Sequence, residues 1–80
     1  MTNREAGRLL GISGNRYSST VQSLLERTGW TRPACKQFVL AHYNEAVTLC
    51  LLRGVPVTKR SILTELIALA KDETADTENI

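Results

Sequence analysis

Pro33-Ala34-Cys35-Lys36-Gln37-Phe38-Val39-Leu40-Ala41-His42-Tyr43-Asn44-Glu45-Ala46-Val47-Thr48-Leu49-Cys50-Leu51-Leu52-Arg53 is a long stretch of the chain without an internal Gly or Pro. Its spacing predicts one long helix. Pro33 suits a first turn, where its missing N–H has no helical partner to lose, and Gly54 followed by Pro56 supplies a left-handed cap and a stop. Cys35, Phe38, Val39, His42, Ala46, Leu49 and Cys50 follow one face, and Leu40, Tyr43, Val47 and Leu51 an adjacent one. An apolar arc this wide exceeds what one neighbouring helix covers, so the segment is expected at the centre of a bundle or in a subunit interface.

Working outward, Thr31 is the expected cap of that helix, and Gly29 ends the helix before it, which runs from Gly14 to Arg27 behind a Ser13 cap. Tyr17, Val21, Leu24 and Leu25 give this second helix its inward face, and Trp30 is placed to cover the base of the core. A short first helix, capped by Thr2 or Asn3, reaches Leu10 with Ala6, Leu9 and Leu10 inward. On the far side Thr58 caps a last helix to about Lys71 carrying Ile62, Leu63, Leu66, Ile67 and Leu69. The expectation is a small all-α, four-helix domain over residues 1–72, followed by an acidic, disordered tail over 73–80.

Eighty residues make one domain whose surface is large for its core, and self-association is the natural source of added stability. Phe38, Tyr43, Val47, Leu51 and Leu66 are the expected homodimer interface. Cys35 and Cys50 stand about 22 Å apart along one helix, too far to bridge, and read as small buried hydrophobes. With the lone His42 they make no metal site, and no cofactor or small-molecule ligand is indicated. His42 lacks a paired carboxylate or nucleophile, so no enzymatic function is expected. The absence of a leader or a membrane-spanning run points to the cytoplasm.

Charge is unevenly spread. Residues 1–60 hold nine Lys or Arg against three acids, whereas residues 61–80 hold Lys71 against five. A basic body suits a polyanion. At Thr58-Lys59-Arg60, two cations stand at a helix start whose dipole is already positive, an arrangement that an incoming phosphate relieves.

The run Glu5-Ala6-Gly7-Arg8-Leu9-Leu10-Gly11-Ile12-Ser13-Gly14-Asn15-Arg16-Tyr17-Ser18-Ser19-Thr20-Val21 resembles the helix-turn-helix of bacterial and phage DNA-binding regulators. Gly7 is the small residue four before the turn glycine Gly11, Ile12 the following aliphatic, Ser13 the cap, and Tyr17 and Val21 the inward residues of the second helix. Tyr17 stands where an aliphatic is usual. The resemblance covers about the first 30 residues and implies a sequence-specific transcription regulator that binds double-stranded DNA as a homodimer. The outer face of the second helix, Asn15, Arg16, Ser18, Ser19 and Gln22 with Ser13 at its start, carries no acid before Glu26. Such side chains suit a major groove, where Arg pairs with guanine and Asn or Gln with adenine. Lys59 and Arg60 are the expected phosphate contacts.

Residues 20–43 also resemble the ribbon-helix-helix regulators through Gly29, Thr31, Arg32 and Tyr43. That reading needs a base-reading strand, and the candidate, Gly7 to Ser13, offers only aliphatics and glycines to a groove. Lys36 also falls where that family places a buried aliphatic. A helical protein-interaction adaptor without DNA binding is the alternative from another class, since broad apolar helix faces serve it equally well.

Overall fold

Every helix start is set by a hydroxyl. Thr2, Ser13, Thr31 and Thr58 each accept the backbone N–H three residues on, from Glu5, Arg16, Ala34 and Ser61, at 3.0–3.3 Å. Each hydroxyl satisfies a donor that the helix cannot pair internally. The computed structural model, which describes the backbone of residues 1–78 and the side chains of residues 1–72, accordingly has four helices. These are α1 (Asn3–Leu10), α2 (Gly14–Thr28), α3 (Arg32–Arg53) and α4 (Lys59–Glu78). Gly11, Gly29 and Gly54 close the first three.

The chain is all-α among the described residues, as the hydrophobic spacing predicts. Gly7 to Leu10 belongs to α1 and residues 11–13 form a turn, so the strand required by the ribbon-helix-helix alternative is absent there. α4 continues past Lys71 to Glu78, because no Gly or Pro follows Pro56 and nothing in the sequence stops the helix. The helix end expected near Lys71 thus lies at Glu78. Residues 79 and 80 lie outside the described residues.

The core draws on all four helices: Ala6, then Val21 and Leu24, then Val39, Ala46 and Cys50, then Ile62 and Leu66. α3 is central as expected, but α2 shares that position. Both touch the three other helices, whereas among the described residues α1 and α4 do not touch each other. Tyr17 spans the α2–α3 contact, its hydroxyl donating to the Lys36 carbonyl at 3.0 Å. Trp30 is half-buried, edge-on to Phe38 with ring centroids 5.4 Å apart. α4 is tied to the end of α3 by Arg53, which meets the buried Glu65 carboxylate at 3.1 Å.

Three apolar expectations change. Leu9 is exposed, because the inward side of α1 is set by Ala6, Gly7 and Leu10, and Leu9 points about 100° away from Leu10. His42, expected to lack a paired carboxylate, has one: it lies at the surface edge, tilted against Phe38 with ring centroids 4.4 Å apart, and bonds through Nδ1 to Glu45 at 2.9 Å. The expected interface set also divides. Phe38, Tyr43 and Leu66 are 8%, 3% and 0% exposed inside a single chain, Val47 is half-buried, and Leu51 is 65% exposed. Leu51 thus lies open at the surface of the chain, whereas Phe38, Tyr43 and Leu66 are covered by its own helices. Leu52, Val55 and Val57 join Leu51 as exposed apolar side chains at the α3–α4 connection.

Candidate nucleic-acid interface

The site begins with a close approach of backbones. A methyl group on Gly7 would stand 2.7 Å from the Ile12 carbonyl oxygen and 2.8 Å from that of Ser13, so the turn lies directly on α1. Gly14 repeats the contact one element on: a methyl there would meet Arg4 Cα at 3.1 Å. Small residues at both positions let the first turn of α2 lie against the first turn of α1. Asn3, Arg4, Ser13, Gly14, Asn15 and Ser18 then surround an open concavity of about 440 Å³. Asn3 Oδ1, part of this junction, is the buried side-chain polar atom without a hydrogen-bond partner among the described residues.

Arg16 is held at its backbone and free at its side chain. Its N–H donates to Ser13 Oγ at 3.0 Å and its carbonyl accepts from the buried Thr20 hydroxyl at 2.8 Å. The guanidinium is exposed and makes no ion pair among the described residues. Asn15 is equally exposed. Ser13 spends its oxygen on the cap, and Ser18 is half-buried toward the α1 concavity.

The other two expected α2 contacts are already engaged. Ser19 Oγ accepts from Lys59 Nζ, which joins α2 to the start of α4. Gln22 accepts from the Arg32 guanidinium at the start of α3 and donates to Glu26 at 3.2 Å. Arg60 is exposed, while Lys59 is half-buried by its bond to Ser19. The expected face thus separates into two edges. Asn15, Ser18 and Gln22 look toward the starts of α1 and α3, whereas Arg16, Ser19 and Arg27 look toward α4.

Arg4, Arg27, Arg32 and Lys71 flank the α2 surface without having been expected there from the sequence. Gly14 is the signal that could have shown a close neighbour here, though not that it is Arg4. Arg27 and Lys71 carried no such mark. Among the described residues no three His, Cys, Asp or Glu stand together as metal ligands, and no helix is long and apolar enough to cross a membrane.

No protein-family model, no curated protein and no solved structure matches the chain.

Proposed function

We propose that the chain is a sequence-specific DNA-binding regulator of transcription that places the first half of α2 in a major groove. One observation carries this reading: Asn15 and the Arg16 guanidinium are both exposed, one on each edge of an acid-free helix start, with Arg4 beside the first and Lys59 and Arg60 beside the second. Arg16 and Asn15 have the donors and acceptors that base edges require, and the flanking cations suit the phosphate walls of the groove. Ser19 and Gln22, tied to Lys59 and Arg32, hold the helix in place and read less. The regulator works in the cytoplasm as a homodimer, its second copy meeting Leu51, Leu52, Val55 and Val57. Two reading helices then require half-sites about 10 base pairs apart.

The experiment is duplex binding followed across salt concentration. A reader that neutralises phosphates loses affinity linearly on a logarithmic salt scale. Absence of salt-dependent duplex binding by the intact chain would exclude the proposal. The exposed Leu51, Leu52, Val55 and Val57 favour one other reading, a protein-interaction adaptor. An adaptor leaves the duplex unbound at every salt concentration.

A further inference from the structure

The α4-facing edge of α2 has a counterpart on α4. Arg16, Ser19, Ser23 and Arg27 succeed one another at intervals of three and four residues, and so do Arg60, Thr64, Ile67 and Lys71. Each stripe begins and ends in a cation. The two run side by side in the same direction, because Lys59 bonds Ser19 at one end, while at the other Arg27 and Lys71 share an open groove of about 260 Å³ floored by Ile67 and Ala68. Among the described residues no acid lines that groove. Arg27 and Lys71 are both exposed, and neither makes an ion pair among the described residues. Of the acids nearby, Glu65 is buried against Arg53 and Glu26 is bonded to Gln22 on the outer face of α2. Asp72, exposed, follows Lys71 at the end of the described side chains.

We propose that this α2–α4 edge is a phosphate track along which one strand of duplex DNA runs, with Arg27 and Lys71 anchoring its far end. The inference rests on the DNA-binding reading and extends it to two residues beyond the reading half of α2. The length fits. Eleven residues of helix separate the cations of each stripe by about 16 Å, close to the axial rise of five nucleotides along one strand. Like-charged side chains facing across a groove without an acid are stabilised by an anion between them. Beyond Arg16 the edge carries cations but no exposed Asn or Gln, so its contacts fall on phosphates and do not distinguish one base from another.

The test compares the intact chain with the double variant Arg27→Ala/Lys71→Ala and with Arg16→Ala, each titrated with a preferred and a random duplex at several salt concentrations. Both anchors are exposed and make no ion pair among the described residues, so thermal unfolding of the double variant should match that of the parent. The double variant should weaken both duplexes by the same factor and lower the logarithmic salt slope by about 1.8, or 0.9 for each phosphate lost. Arg16→Ala should instead change the ratio between the two duplexes. An unchanged salt slope in the double variant overturns the track and leaves the reading by α2 standing. Binding of polyglutamate as tightly as duplex overturns it in favour of an acidic protein partner. Failure of the intact chain to bind any duplex removes both the track and the reading.

Discussion

Gly7 and Gly14 show how much of the site depends on the lack of a side chain. At Gly7 the atoms a methyl would strike are backbone oxygens of the turn, which have no room to rotate away. Gly7→Ala should therefore destabilise the chain by about 1–3 kcal/mol, read from denaturant unfolding, and an unchanged midpoint would show that α1 and the turn are less close. Gly14→Ala should cost less, because its nearest contact is 3.1 Å and alanine favours the helix by about 1 kcal/mol. Tyr17 works by a different principle. Burial raises its hydroxyl above the ordinary value of 10.0, so the folded chain favours the neutral form. Its contribution is complete below pH 10 and is lost as pH rises through the higher folded-state value. Cys50 acts in the same direction from about pH 9, raised by burial and then by Glu65, with Arg53 opposing. Stability should accordingly fall in alkali, and Tyr17→Phe should make the fall shallower. A pH profile identical to that of the parent would contradict the burial of this hydroxyl.

At the scale of the element, α2 is one helix with two functions. Its first turn exposes Asn15 and Arg16, while its middle is bonded to α3 and α4 through Gln22 and Ser19. Arg16→Ala should cost about 1–3 kcal/mol at a preferred site and relax preference at one or two base pairs. Ser19→Ala should leave the preference intact. Equal loss of preference in both variants would mean that the Lys59 contact opens on binding. Helix starts were legible because a hydroxyl before an apolar run has one economical use, and all four caps lie where the sequence puts them. The direction of individual side chains was less legible. Spacing defines a helical face but not how far its neighbour extends, so Leu9 and Leu51 continue apolar faces beyond the helices that would cover them. The bonds of Ser19 and Gln22 were invisible for a related reason: their partners, Lys59 and Arg32, lie 40 and 10 residues away and meet them only through the fold.

At the scale of the whole molecule, charge and apolar surface are segregated. Cations border α2, while Leu51, Leu52, Val55 and Val57 cluster at the α3–α4 connection. Leu52, 77% exposed, gains little from its own chain, so Leu52→Asp should leave helicity unchanged and abolish self-association in sedimentation at micromolar concentration. Leu66→Asp should instead unfold the domain, since an unpaired charge at a fully buried position costs several kcal/mol. A chain that sediments as a monomer before mutation would remove the dimer from the account. The central claim, that the start of α2 reads DNA, is tested most directly by selecting bound sequences from a randomised duplex library with the intact chain and with Arg16→Ala. The intact chain should enrich a near-palindromic site with half-sites about 10 base pairs apart, and Arg16→Ala should lose the preference at one or two positions of each half. Enrichment of no sequence by the intact chain, or of the same site by both proteins, would contradict it.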